Sequence, residues 1–386
     1  MNLLVCPGSP KIDVNFIEFK NKAYTEPEEI VNVFGRYFSD IGGQISDSVK
    51  QDKETNKIMN FEELIGNKTM YIRPTNEKEI SEILENLNKH SAPGQDNITI
   101  KEIHIIKKLI VPYLVVLINN IFLTGIFPDI LKTGKITPIY KSGDKSDIQN
   151  YRPITITDSL SKLIETLMAV RISGFLSENI GFDVYQYGFL KNSSTLSAAT
   201  DFINFINTKL DDREYVLVIY IDLKKAFDVV DHELLLNKLN LMGIRGVAYT
   251  LIQTYLQNRN NFVYLRQTKS QIITNQVGVP QGSVLGPLLF AIYILSLRIA
   301  KLSGKYFIYA DDAALVYSHK NANENKTVYM LFKQKNTPEV KLNIQINNYK
   351  IAKVTVTKYL GLVVDEKLNW SNHINKLYNK LTPMIG

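Results

Sequence analysis

The chain has 386 residues, 45% of them hydrophobic and 22% charged, which suits two or three subdomains and excludes a disordered chain. Its formal net charge of +7 permits nucleic-acid binding without showing it. A single cysteine, Cys6, excludes an internal disulfide framework and a cysteine zinc cluster, and the five histidines have no metal-ligand spacing. A reducing intracellular compartment, nucleus or cytoplasm, is expected.

Met1 to Pro10 carries no secretory pattern. Pro27 to Phe38 has helical spacing, with Ile30, Val31, Val33, Phe34 and Phe38 as its apolar positions. Glu77 to Asn88 is a second predicted helix, His90 to Asn97 a Pro/Gly loop, and Ile100 to Leu123 a long helical stretch. Within it, Leu109 to Phe127 approaches membrane-spanning length. It contains Pro112, Asn119, Asn120, Thr124 and Gly125, so a buried helix is expected and no membrane segment. Lys135 to Tyr140 reads as a strand, Lys141 to Asn150 as a polar turn and Ser159 to Phe175 as a helix. Tyr215 to Ile221 is a run of apolar and aromatic residues expected to form a buried strand, and Asp231 can cap a following helix. Lys305 to Ala310 and Ala313 to Tyr317 read as strands flanking a two-residue acidic turn.

Three clusters carry chemistry. Asp222 stands where the apolar strand Tyr215 to Ile221 ends, where a carboxylate can hold a metal without burial in the core. Taken alone it is equally a strand terminus or helix cap. Asp311 and Asp312 are adjacent carboxylates whose repulsion a cation would relieve, although a solvated acidic turn has the same sequence. Gly278 to Pro287 (Gly-Val-Pro-Gln-Gly-Ser-Val-Leu-Gly-Pro) lets a backbone approach a ligand closely, as an ordinary structural loop also does.

Together, and in this order, the three clusters resemble the reverse transcriptases of non-LTR (LINE-type, jockey-like) retrotransposons. The resemblance extends to Ser91-Ala92-Pro93-Gly94, Pro138 to Asp144, Asn150-Tyr151-Arg152-Pro153-Ile154, Gln186 to Phe189 with Ser194-Thr195, and Lys358-Tyr359-Leu360-Gly361, running from about residue 70 to the C-terminus. It implies an α+β right-hand polymerase with helical fingers, an antiparallel-sheet palm and a truncated thumb. The expected divisions are 1–69, a partly helical lead-in; 70–212, fingers and start of palm; 213–320, palm with the catalytic motifs; and 321–386, a shortened palm end and partial thumb.

The implied activity is RNA-directed DNA polymerisation on an RNA template and DNA primer with dNTPs, in retrotransposition. Asp222, Asp311 and Asp312 would be the catalytic residues and would hold two Mg²⁺ ions, with Mn²⁺ as the alternative. Lys141 and Arg152, bracketing the polar turn as the arms of a hairpin would, are the implied triphosphate contacts. Phe227 is the implied steric gate against a 2′-hydroxyl, and Gln281 the contact to the incoming nucleotide and templating base. Tyr359, Leu360 and Gly361 are the implied primer-positioning element. Arg259, Arg266 and Lys269 fall in an acid-free segment that would suit phosphates or a solvated basic face equally.

The chain departs from the family in four ways. Ser-Ala-Pro-Gly continues Gln95-Asp96-Asn97 where the family has Pro-Asp-Gly. Leu190 stands where arginine follows Gly-Phe. Asn323 to Thr327 follows Asp312 so closely that Ser318 to Ala322 is too short for the usual palm helix, and an exposed sheet face and poor solubility are expected. No endonuclease precedes the polymerase motifs, and the chain stops at Gly386, soon after Trp370, so a full thumb is not expected. An inactive relic that at most binds nucleic acid is therefore the second reading. A viral RNA-dependent RNA polymerase is the third, and Phe227 argues against it.

Overall fold

The computed structural model describes residues 14, 16–50, 68–180, 188, 194–222, 225–295, 305–309, 312–319, 329–332, 344–346, 349–351, 353–360, 362–366, 368, 373–376 and 378. In chain order the elements begin with β1 (Ile17–Phe19), β2 (Lys22–Tyr24), α1 (Pro27–Lys50), α2 (Glu77–Asn86), α3 (Ile100–Ile105), α4 (Lys107–Thr124), β3 (Gly134–Tyr140), β4 (Tyr151–Ile156), α5 (Ser159–Ile180) and α6 (Thr195–Asp211). Then come β5 (Tyr215–Asp222), α7 (His232–Leu241), α8 (Val247–Leu256), β6 (Arg259–Leu265), β7 (Thr268–Lys269), β8 (Ile273–Asn275) and α9 (Gly286–Ile294). The last are β9 (Lys305–Tyr309), β10 (Asp312–His319), β11 (Tyr329–Phe332), β12 (Ile344–Ile346), β13 (Tyr349–Ile351), β14 (Val356–Tyr359) and β15 (Leu362–Asp365). Mixed helices and separate, largely antiparallel sheets make this an α+β chain.

Two compact units are present, each discontinuous in sequence: residues 1–181 with 225–294, and residues 182–224 with 295–386. In the first, β4-β3-β6-β7 form a sheet, β8 pairs with β6, and β3 and β6 run parallel. The apolar stripe of α1 covers this sheet through Ile30, Val33, Phe34 and Phe38, and Phe34 meets Tyr151 edge-on at 5.1 Å. Asn76 caps α2 by accepting from Glu79 N at 2.9 Å, and Thr99 with Glu102 forms a capping box on α3. The helical stretch expected from Ile100 to Leu123 is two helices, broken at Ile106.

α4 is not the buried helix its composition suggested. Val111, Ile118, Ile121 and Phe122 are buried, but Leu109 (70% exposed), Tyr113 (73%), Val116 (71%) and Leu123 (78%) form an open apolar face. By length and composition alone α4 could cross a membrane, with only 22% of it buried. It is nevertheless tied into the unit: Asn119 accepts from Thr75 N at 2.8 Å and donates to Thr75 O at 3.0 Å.

An internal ion pair anchors α5 to the start of α2. Arg171 donates to both carboxylate oxygens of Glu79 at 2.9 and 2.8 Å, and to the carbonyls of Arg73 and Pro74 at 2.9 and 3.3 Å. The guanidinium holds the Glu79 carboxyl below its ordinary pKa.

The second unit is built on the antiparallel sheet β11-β5-β10-β9. One face, with Val216, Val218, Phe307, Ala314, Val316, Met330 and Phe332, packs on α6 and the β14–β15 hairpin. Residues of the other face, Leu217, Ile219, Tyr306, Ile308, Ala313 and Leu315, are also buried. Among the described residues the expected exposed sheet face is not found: alternation puts an apolar side chain on each side of these strands, and both rows are buried. Asn323 to Thr327 lies outside the described residues.

Candidate active site

In the second unit, β5 and β10 pair antiparallel with Asp312 directly opposite Asp222, the ladder continuing through Ala313–Ile221 to His319–Tyr215. Directly opposed positions share one face of a sheet and are close neighbours. Asp312 is exposed, and it is the first residue of β10, paired also with Tyr309 of β9, rather than a turn residue. Asp311 lies outside the described residues. Among the described residues no group of three metal-ligating side chains is found. The donor set is nevertheless of the right chemistry for a hard cation, because two carboxylate positions meet at one sheet end and opposed like charges are costly unless compensated.

Tyr359 is packed in the core of this unit. It is 4% exposed, its ring lies 5.0 Å from Phe202 and 5.3 Å from Tyr220, and its hydroxyl donates to Phe307 O at 2.7 Å. The ring is thus core packing for this unit, and its hydroxyl is satisfied by β9. Leu360 is also buried, with φ at +50°, and Gly361 lies outside the described residues.

In the first unit the Gly-Val-Pro-Gln-Gly loop is fastened to the turn that follows Lys225. Gly278 N donates to Val230 O and Val279 N to Phe227 O, both at 2.8 Å, and Thr155 N donates to Gln281 O at 2.6 Å. Two glycines are required. Gly278 has φ +85° and a Cβ there would meet Asp228 O at 2.8 Å; Gly282 has φ +111° and a Cβ would meet Thr155 O at 2.5 Å. Buried Glu165 accepts from Val284 N and Leu285 N at 2.7 and 3.1 Å, satisfying donors that open α9.

Four implied nucleotide contacts find definite positions here. Phe227 is half-buried and stacked on Phe290 at 4.8 Å with an interplanar angle of 28°. Gln281 donates from Nε2 to Asp228 Oδ1 and Oδ2, each at 3.2 Å. Arg152 is exposed on β4 opposite Ile139, and exposed Lys141 closes the β3–β4 hairpin through its N–H to Asn150 O at 2.8 Å. The two arms read from the polar turn are thus a real hairpin. Lys132, just before β3, is buried and paired with Asp129 at 2.7 Å.

The Ser-Ala-Pro-Gly loop folds onto the start of α5. Asp158 accepts from Gln95 N at 2.8 Å, Lys162 Nζ donates to Ala92 O at 3.1 Å, and a Cβ on Gly94 would meet Asp158 Oδ1 at 2.0 Å. Asn97, which stands where the family has glycine, has φ +60°, a conformation asparagine tolerates. That departure therefore preserves the turn. Arg259 is a correction: it is 3% exposed, lies over the Tyr255 ring at 4.7 Å and donates to Tyr255 O, so it is not free to meet phosphate. Arg266 and Lys269 are exposed.

Sequence reasoning assigned no role to Asp158, Glu165 or Asp228. Asp228 had a visible signal: it sits between apolar Phe227 and Val229-Val230, and it is half-buried. Burial pushes its pKa up to about 6, against the opposing pull of Lys225 and Gln281. Lys225 in turn donates to Tyr37 Oη at 2.7 Å and lies over that ring.

Residues 139–364, more than half of the chain, match the family model described as reverse transcriptase (RNA-dependent DNA polymerase). The chain is 29% identical over 340 residues to the probable RNA-directed DNA polymerase from transposon BS of Drosophila melanogaster, covering 78% of this chain and 37% of that protein. It is 29% identical over 345 residues to the RNA-directed DNA polymerase from mobile element jockey of Drosophila funebris, covering 81% and 37%. It is 27% identical over 349 residues to the probable RNA-directed DNA polymerase from transposon X-element of Drosophila melanogaster, covering 82% and 38%. The chain thus spans little more than a third of the length of these relatives. The opposed aspartates at one sheet end, the glycine-dependent loop fastened to the Phe227 turn and this match agree: the chain belongs to the reverse transcriptase (RNA-dependent DNA polymerase) family.

Proposed function

We propose that this chain is the polymerase core of a retrotransposon enzyme that copies RNA into DNA by adding deoxynucleotides to a primer 3′-hydroxyl. The observation that carries the reading is the register that sets Asp312 opposite Asp222 at one end of an antiparallel sheet. In this reading the second unit's sheet is the palm and the β3–β4 hairpin belongs to the fingers. Asp222, Asp311 and Asp312 hold two Mg²⁺ ions, which when bound supply activation of the primer hydroxyl and neutralisation of charge on the triphosphate.

The remaining roles belong to the chain's own groups. Arg152 and Lys141 are exposed cations suited to triphosphate oxygens. The Phe227 ring, held against Phe290, presents a fixed apolar surface for a deoxyribose and leaves no room for a 2′-hydroxyl. Gln281, fixed by its own backbone to β4, contacts the incoming nucleotide. Burial of residues on both faces of the sheet speaks against the exposed sheet face that was part of the case for an inactive relic. Primer extension on an RNA template tests the proposal. The expected result is extension with dNTPs and Mg²⁺ and none with ribonucleotides alone; extension with ribonucleotides as efficient as with dNTPs would overturn it.

A further inference from the structure

Asp228 is a half-buried carboxylate in the turn that carries Phe227, and nothing in the proposed chemistry uses it. Its two oxygens both accept from Gln281 Nε2 at 3.2 Å. An ionised carboxylate has no proton to give, so the amide nitrogen of Gln281 must face it, and the carboxamide cannot flip without setting oxygen against oxygen. Among the described residues, both hydrogen bonds made by the Gln281 side chain leave from Nε2, so Oε1 is the acceptor that remains.

The pair is not needed to hold the loop. Two backbone bonds already join the loop to the turn, from Gly278 N and Val279 N, and a third joins Gln281 O to β4. Close packing of Gly278 against Asp228 O adds to them. The carboxylate is also expensive to keep, since its burial raises its pKa to about 6. Lys225 offsets that cost only in part, because its ammonium is shared with Tyr37. A charge that costs stability and is redundant for loop closure points to function.

We propose that Asp228 is a positioning residue for nucleotide selection: it locks the Gln281 carboxamide in the one orientation that presents Oε1 as a fixed acceptor toward the incoming nucleotide and its templating base. The inference rests on the reading of Gln281 as a nucleotide contact. A locked acceptor discriminates because a nucleotide that offers no donor there leaves it unpaired, whereas a freely rotating amide would adapt to either partner.

The test is a double-mutant cycle on the full chain, read without turnover. The chain is bound to an RNA template with a dideoxy-terminated DNA primer, and the ratio of dissociation constants for the matched and a mismatched dNTP is measured. Asp228→Leu removes the acceptor on a side chain branched in the same way, and Gln281→Met removes the amide. Each single change should lower the discrimination ratio about five- to tenfold, the worth of one hydrogen bond. Asp228→Leu added to Gln281→Met should lower it no further. An equal further loss in the Gln281→Met background would make Asp228 merely structural and overturn the inference. No change in Gln281→Met would instead overturn the nucleotide-contact reading itself. If Asp228→Leu does not fold, Asp228→Asn, a weaker acceptor, replaces it in the same cycle, and the same two results would overturn the same two readings.

Discussion

Replacing Asp228 by asparagine should stabilise the protein at neutral pH and not at acid pH. The folded state raises the pKa of this carboxyl from 3.8 to about 6. A group raised in this way favours its neutral form when folded. Its contribution to stability is therefore fully present below pH 3.8 and lost as pH climbs through about 6. At 1.36 kcal/mol per pKa unit, ionised Asp228 costs the folded state about 3 kcal/mol at pH 7.5. Asparagine keeps the shape and carries no charge, so Asp228→Asn should be more stable than the parent by up to about 3 kcal/mol at pH 7.5. At pH 4 the two should be nearly equal. Urea unfolding at both pH values, followed by tryptophan fluorescence and far-UV circular dichroism, measures the difference. Equal stability at pH 7.5, or an advantage of the same size at pH 4, would refute the claim that a buried charge is being tolerated at this position.

Three further outcomes follow from the geometry. Phe227→Val should raise the kcat/KM for ribonucleotides relative to deoxyribonucleotides, measured in paired single-nucleotide assays; an unchanged ratio would leave Phe227 as packing for Phe290 alone. Glu79→Ala should cost about 3–5 kcal/mol in urea unfolding at pH 7, because Arg171 stays buried with its charge uncompensated, while the apolar pair Glu79→Leu with Arg171→Met should recover most of the loss. Since the Glu79 carboxyl is depressed, the stabilisation it supplies is present above its unfolded pKa and should fade as pH falls through the folded value. Changing Leu109, Val116 and Leu123 on the open face of α4 to lysine should raise the soluble yield with a shift in Tm of less than about 2 °C, as expected for exposed sites; a large drop in Tm would show that this face is buried in solution.

Much of the fold was written in local pattern. The helix from Pro27 showed its stripe, the strand from Tyr215 its apolar run, and the helix after Asp231 its cap, which accepts from Leu234 N at 2.9 Å. Strand β4 was harder to see because it contains Pro153. The structure tolerates it since β4 is the sheet's edge, with Pro153 opposite Pro138 at a point where β3 has run past β6. Helix α6 is faint in the sequence although Ser194 caps it and Ala198, Ala199, Phe202 and Ile206 follow at helical spacing, because two of those four buried positions are small alanines that give a weak apolar signal.

The candidate site was legible where a motif fixes the backbone, as with the glycines at 278 and 282. It was illegible where long-range burial decides the fate of a charge. Lys132 and Arg259 look like free cations in one dimension, and each is claimed by a residue three or four positions away. Asp228 had the opposite fate, since its partner Gln281 is 53 residues distant and appears only once the loop closes on the turn.

The most direct test of the polymerase reading is primer extension on an RNA template by the parent chain and by Asp222→Asn and Asp311→Asn, with template–primer affinity measured alongside. The account predicts that each substitution lowers the extension rate about a thousandfold or more, because charge stabilisation is lost from the transition state, and leaves affinity for the template–primer within about threefold. Near-parental extension by both variants would contradict it.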